Sequence, residues 1–123
     1  MKNVLIVEDS KAIRSMIRVS LEEEGNFFAT EAGNGFEALK ILPSRPFDLI
    51  ITDINMPDIN GLELIGFVKS NPAYRGIPLI IVSTEKSEED KKRGIALGAF
   101  GYVVKPFKKD DLMTLVKKAV GGI

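Results

Sequence analysis

The stretch Phe47-Asp48-Leu49-Ile50-Ile51-Thr52-Asp53-Ile54-Asn55-Met56-Pro57 decides how this chain is read. Its apolar run reads as a buried strand that stops on a carboxylate, Asp53, and Pro57 then marks a loop. Such a strand end holds an acidic oxygen rigidly at the edge of a sheet. A carboxylate in that position binds a cation, acts as a nucleophile, or simply caps a loop. The flanking sequence has to choose among these.

Outward from that strand, apolar runs and helical stripes alternate five times. Strands are predicted at Val4–Val7, Phe27–Ala32, Leu49–Ile51, Leu79–Val82 and Tyr102–Val104. Apolar residues at helical spacing lie between them: Ile13, Met16, Ile17 and Leu21, then Phe36, Leu39 and Leu42, then Leu62, Ile65 and Val68. Leu112, Leu115, Val116 and Ala119 mark the last helix. Ser10 signs the first helix start, and Ser87 with Asp90 a variant capping box before the fourth. Gly25, Pro43 and Gly98 punctuate helix ends. Short apolar strands alternating with helices imply a parallel sheet covered on both faces. One (βα)5 domain over residues 1–123 is expected, with no attached output domain, and the flavodoxin-like 2-1-3-4-5 is one of the common doubly wound strand orders for five strands.

Composition removes whole classes of chemistry. The chain of 123 residues suits one domain with one good core. Lys+Arg and Asp+Glu both number 17, so no global field favours nucleic acid or a membrane surface. No apolar stretch is long enough to span a bilayer, and Met1-Lys2-Asn3 leads into a strand without a signal-peptide pattern. There is no cysteine and no histidine, which removes disulfides, thiolate metal sites and the commonest general base. Any metal should be a hard, oxygen-bound cation such as Mg²⁺, Mn²⁺ or Ca²⁺.

In the order 2-1-3-4-5, strands 1, 3, 4 and 5 are neighbours, and ligands bind at the carboxyl ends of such strands. Those ends carry Glu8-Asp9, Asp53, Ser83-Thr84 and Lys105. Singly, these residues are a solvated helix start, a loop cap, turn hydroxyls and a surface lysine. Their joint placement on adjacent strands reverses that. Two carboxylates about 5 Å apart repel by roughly 3 kcal/mol at an effective dielectric of 20, so Asp9 and Asp53 favour a divalent cation between them. Lys105 adds a point charge and Ser83 a hydroxyl, both suited to a phosphoryl group. Together they make a phosphoryl-transfer site with Asp53 as nucleophile.

At this point the chain resembles the receiver domains of two-component response regulators, the CheY-like family. The resemblance lies in Val7-Glu8-Asp9-Ser10, Asp53-Ile54-Asn55-Met56-Pro57 with Gly61, Ser83-Thr84, and Tyr102-Val103-Val104-Lys105-Pro106-Phe107. It implies that Asp53 accepts phosphate from a phosphohistidine on a sensor histidine kinase or phosphotransfer protein. It also implies that Mg²⁺, with Mn²⁺ as a substitute, is held by Asp9, Asp53 and the backbone carbonyl of Asn55, with Glu8 acting through water. By the same resemblance Ser83 and Lys105 contact the phosphoryl group, Tyr102 changes rotamer, and Asn55 and Glu85 tune dephosphorylation. Lys105-Pro106 is expected to be cis. Glu8 stands where Asp is frequent, and Ser83 where Thr is common. The implied protein is a cytoplasmic signalling switch rather than an enzyme, a monomer or a weak phosphorylation-dependent dimer. Its downstream protein target would dock on the face of the fourth helix, fifth strand and fifth helix, with chemotaxis or a phosphorelay as the pathway.

Four other patterns compete. Gly33-Asn34-Gly35-Phe36-Glu37-Ala38 fits G-x-G-x-x-A after a strand, with Asp53 twenty residues beyond Gly33, the mark of a dinucleotide-binding domain. It follows the second strand, however, and leaves Glu8, Asp9 and Lys105 unexplained. An EF-hand loop starting at Asp53 fails because Asp58 stands where glycine is needed. An aspartyl-phosphate phosphatase would need an acid in place of Asn55 and its nucleophile on the first strand. Lys91-Lys92-Arg93, preceded by Glu88, Glu89 and Asp90, reads as a solvated helix face rather than a nucleic-acid contact.

Overall fold

The computed structural model describes residues 1–84 and 88–121. Five parallel strands, β1 (Lys2–Val7), β2 (Phe27–Ala32), β3 (Leu49–Asp53), β4 (Leu79–Thr84) and β5 (Gly101–Lys105), form one sheet in the order β2-β1-β3-β4-β5. The helices are α1 (Lys11–Glu24), α2 (Gly35–Ile41), α3 (Gly61–Ser70), α4 (Glu88–Leu97) and α5 (Lys109–Ala119). The expected fold class and strand order are both present.

Period-two alternation splits the central strands between two cores. Val4, Ile6, Leu49, Ile51, Ile80 and Val82 face Ile17 and Leu21 of α1 and Leu112 and Val116 of α5. Leu5, Val7, Ile50, Leu79 and Ile81 face the other way, against Ala38 of α2 and Leu64, Ile65 and Val68 of α3. Every residue of β3 is buried, because helices cover both faces of the middle of the sheet. Each end of a central strand is thereby fixed by packing from two sides.

Helix starts follow local chemistry. The Ser10 hydroxyl accepts the Ile13 N–H at 3.3 Å, and Asn34 caps α2 through the Glu37 N–H at 2.9 Å. Asn60 and Glu63 form a reciprocal capping box at the start of α3. α1 stops at Gly25, whose φ of 81° suits a residue without a Cβ. The box expected at Ser87 lies outside the described residues.

Some predicted core positions are corrected. Met16 and Phe36 are 45% and 55% exposed, on the outer sides of α1 and α2. Ser20, which the stripe omitted, turns inward because its hydroxyl returns to the Met16 carbonyl at 2.9 Å. Leu42 is buried but belongs to a short 3-10 turn with Pro43 and Ser44, since proline cannot continue the hydrogen-bonded helix.

Candidate functional site

Asp53 sits at the end of β3, 6% exposed. Its Oδ1 accepts the Ile54 N–H at 2.8 Å, and its carbonyl accepts the Thr52 hydroxyl at 2.9 Å. α3 begins directly on the peptide that follows it. A Cβ on Gly61 would lie 2.1 Å from the Asp53 carbonyl oxygen and 2.7 Å from Ile54 Cα, so only glycine allows this approach. The Gly61 N–H donates to the Ile54 carbonyl at 2.9 Å. Between them the chain turns through Asp58 at φ 65°, a left-handed conformation that Asp tolerates. The Pro57–Gly61 loop is therefore shaped to the aspartate and not a generic turn.

β1 and β5 bring the other charges. Glu8, Asp9 and Asp53 each place a carboxylate oxygen within 4.8 Å of the others. Lys105 Nζ lies 2.7 Å from Glu8 Oε1 and 3.3 Å from Asp53 Oδ2. Glu8 Oε2 accepts the Ser10 N–H at 3.1 Å. Burial pushes the Glu8 carboxyl above its ordinary pKa, outweighing the Lys105 and Ser10 donors that favour its charged form, while the nearby Asp53 adds to the rise. Burial opposes the Lys105 cation as well, yet the bond to Glu8 and the fields of Asp53 and Glu8 raise its pKa. Two carboxylates share one lysine, so the cation is well supported and each anion only partly. That imbalance is what a divalent cation would relieve. The donor set is all oxygen and mostly carboxylate, which fits Mg²⁺ or Mn²⁺ and not a thiophilic metal.

The remaining sequence-derived residues divide by position. Ser83, near the end of β4, is fully buried, and its hydroxyl finds no hydrogen-bond partner among the described residues. Asn55 lies two residues beyond Asp53 with its side chain exposed. Tyr102 stands apart from the acidic cluster: its hydroxyl donates to the Thr84 carbonyl at 3.3 Å, and Lys91 Nζ sits 4.2 Å from its ring centroid. Glu85 lies outside the described residues. The Lys105-Pro106 bond is cis.

The glycine motif is occupied by its own chain. The Gly33 N–H, which a phosphate would need, donates to Glu37 Oε2 at 2.6 Å. A Cβ on Gly35 would meet Ile59 at 2.7 Å, so that glycine serves packing between loops. The strand it follows is the edge strand β2, away from Asp53. The dinucleotide alternative has no support here. Lys91 and Arg93 pair within α4, with Glu88 at 3.6 Å and with Glu89 and Asp90 at 3.9 and 3.8 Å, as a solvated helix face should.

Sequence reasoning missed the ionic cluster behind the acidic site. Arg14 Nη1 donates to the Glu8 carbonyl at 2.8 Å, its Nε lies 2.8 Å from Glu31 Oε1, and Arg18 takes Glu31 Oε2 at 2.5 Å. The signal was an arginine one turn after the Ser10 cap, opposite an acidic residue at the end of the neighbouring strand.

The chain is thus a doubly wound α/β domain with carboxylates and a lysine collected at the carboxyl edge of its sheet. The profile of the response regulator receiver domain matches residues 4–117, and the chain belongs to that family, the receiver domains of two-component systems. Relatives agree. A probable transcriptional regulatory protein of Picosynechococcus is 40% identical, over 89% of this chain and 45% of its own length. The phosphate regulon regulator PhoB of Rhizobium meliloti is 37% identical, over 93% of this chain and 50% of its own. The chain thus spans about half the length of these curated relatives. Among solved structures, the chemotaxis protein CheY4 of Vibrio cholerae superposes with a TM-score of 0.89 at 37% identity, covering 97% of this chain and 98% of that one. A receiver domain is a signalling switch, placed between histidine kinase or phosphotransfer partners and downstream targets. No helix among the described residues is long and apolar enough to cross a membrane.

Proposed function

We propose that Asp53 is the phosphoryl acceptor of a Mg²⁺-dependent switch. The observation that carries this is the setting of Asp53: a rigidly held, buried carboxylate with Glu8 and Asp9 beside it and Lys105 Nζ at 3.3 Å. An Asp53 oxygen attacks phosphorus, the phosphorus–nitrogen bond of the donor phosphohistidine breaks, and the electron pair stays on the departing imidazole. These 123 residues contain no histidine, so the donor imidazole lies outside them. Lys105 can swing from the carboxylates to a phosphoryl oxygen, and the orphan Ser83 hydroxyl can donate to another. Asp9, Asp53 and the backbone carbonyl of Asn55 would hold the metal. Glu8, whose two oxygens already accept from Lys105 and the Ser10 N–H, suits an indirect role through water. When bound, the cation neutralises the carboxylates and the charge spreading over the transferring phosphoryl group.

Asn55 and Glu85 are assigned to tuning the return reaction, in which water attacks the acyl phosphate. For output, Ser83 is drawn toward the phosphoryl group and Tyr102 turns inward, which remodels the face of α4, β5 and α5. A shallow groove of about 420 Å³ there is lined by Lys91, Lys92, Ile95, Ala96 and Tyr102. Ile95 in its lining is 48% exposed, which suits a protein partner. The likeness to CheY4 favours a chemotaxis target in the cytoplasm, with a phosphorelay intermediate as the option within the family.

The test is incubation with acetyl phosphate and Mg²⁺ followed by mass spectrometry. The wild type should gain one phosphoryl group, and Asp53→Asn should gain none. Phosphorylation that persists unchanged in Asp53→Asn sinks the assignment. Binding of the phosphorylated chain to motor-switch or phosphotransfer proteins then separates the two pathways.

A further inference from the structure

We infer that Arg14 is a positioning residue for the acidic site, acting on the Glu8-Asp9 backbone from the α1 side; this rests on the Mg²⁺ reading above. The turn between β1 and α1 must hold two neighbouring carboxylates in fixed directions. Glu8 points inward, 1% exposed, while Asp9 is exposed. A turn of the peptide between them would exchange or misdirect the two. The Glu8 carboxylate is held by Lys105 and the Ser10 N–H, but those bonds act on the side chain and not on the Glu8 carbonyl.

The backbone of Glu8 is instead pinned from both sides. Its N–H donates to the Ala32 carbonyl at 3.1 Å, continuing the pairing of β1 with β2 by one step. Its carbonyl, past the last ladder residue Val7, accepts Arg14 Nη1 at 2.8 Å. Arg14 is itself held where it can do this. The Arg14 N–H bonds the Ser10 carbonyl at 2.9 Å in the first turn of α1, and its Nε lies 2.8 Å from Glu31 Oε1. Glu31 pairs in register with Ile6, so it stands on the strand beside Glu8. Arg18 holds the second Glu31 oxygen at 2.5 Å, and the Arg14 side chain is 17% exposed.

A guanidinium is needed because one planar group must donate in two directions at once, to a carbonyl on β1 and a carboxylate on β2. A lysine would have to serve both from a single nitrogen, without the spaced Nε and Nη1 that reach the two strands separately. Groups that orient a ligand-bearing segment without touching the metal typically change its affinity by about 10–100-fold when removed. An arginine that merely joins a surface ion pair would change stability and leave metal affinity alone. Arg18 supplies that comparison in the same molecule: it holds Glu31 and makes no bond to the Glu8 backbone.

The experiment is a Mg²⁺ titration of the full chain by calorimetry, with melting temperature recorded in parallel. Wild type, Arg14→Ala, Arg18→Ala and Glu31→Ala are compared. Arg14→Ala should weaken Mg²⁺ by roughly tenfold, and raise by a similar factor the Mg²⁺ concentration giving half the maximal rate with acetyl phosphate. Glu31→Ala, which frees Arg14 to wander, should move in the same direction by less. Arg18→Ala should lower the melting temperature and leave Mg²⁺ affinity unchanged. If Arg14→Ala binds Mg²⁺ as the wild type does, or no worse than Arg18→Ala, the inference is overturned. Should Arg14→Ala fail to fold, Arg14→Lys is compared with Arg18→Lys under the same criterion. A wild-type chain that takes up no Mg²⁺ overturns the underlying site assignment, and the inference with it.

Discussion

Asp53 and Tyr102 stand near the same edge of the sheet but are held by different kinds of force. Around Asp53, backbone lies on backbone: a Cβ at Gly61 would lie 2.1 Å from the Asp53 carbonyl oxygen, and α3 buries Gly61, Leu64, Ile65 and Val68. Around Tyr102 the ring meets side chains, and only its hydroxyl reaches backbone, at the Thr84 carbonyl 3.3 Å away. α4 buries only Gly94, and its contact with the ring is a lysine ammonium at 4.2 Å. Backbone contacts cannot yield without moving a helix, whereas a side-chain latch opens at the cost of one weak interaction. The switch proposed above needs both, a site that does not move and a neighbour that does.

The sharpest way to break this contrast is to add one methyl group on each side. Gly61→Ala drives a carbon into the Asp53 carbonyl, with no flexible atom to give way. A loss of about 3 kcal/mol or more is expected, at the upper end of overpacking costs. At Gly94 the added Cβ would meet the tip of Ile81, its Cδ1, at 2.2 Å, and that tip can rotate aside. Alanine also favours a helix interior over glycine by about 1 kcal/mol, so the two effects oppose and the net change should stay under about 1 kcal/mol. Urea denaturation of both variants decides it. Equal losses would mean that the α4 side is packed as tightly as the Asp53 side.

Lys91 tests the latch itself. Lys91→Met keeps the apolar stem and removes the cation, which should cost about 0.5–1 kcal/mol of bias toward the Tyr102 rotamer that meets Lys91. The inward population should therefore rise about two- to fivefold before any phosphorylation. Side-chain NMR couplings of Tyr102 measure this directly. An unchanged rotamer distribution would leave the Thr84 carbonyl as the restraint that matters.

How much of this could be read from the chain follows the same division. Asp53, Glu8, Asp9 and Lys105 were legible because apolar periodicity predicts the strands, and the order 2-1-3-4-5, one of the common doubly wound orders, brings their carboxyl ends together. The glycine at position 61 was visible as a motif letter, but the clash it avoids depends on where α3 lands. Met16 and Phe36 misled because both are apolar at helical spacing, and helical spacing does not say which flank of a stripe meets the sheet. The Lys91–Tyr102 contact and the Arg14–Glu31 pair join residues from different elements through side-chain reach. No periodicity encodes that. Lys91 was read as part of a solvated face, and its ion pair with Glu88 agrees, yet the same ammonium also covers the ring.

The smallest effect concerns the ionic cluster on the rigid side. The Arg18 guanidinium, with Arg14, holds the Glu31 carboxyl below its usual pKa of 4.5, against the opposing effect of burial. A carboxyl whose pKa is lower in the folded than in the unfolded chain adds stability that is complete above the ordinary value. That stability is lost as the pH falls below 4.5 through the lowered one. Both partners keep solvent contact, with side chains 41% and 23% exposed for Arg18 and Glu31, so the contribution is about 1 kcal/mol at most. Unfolding of the wild type and Glu31→Gln across that range should give a gap that closes toward acid pH. If the gap instead stays constant with pH, the glutamate contributes by packing and hydrogen bonding rather than by charge. The rigid side would then owe its shape to contact and not to the Glu31 charge, which is the stronger form of the contrast with the ammonium over the ring at α4.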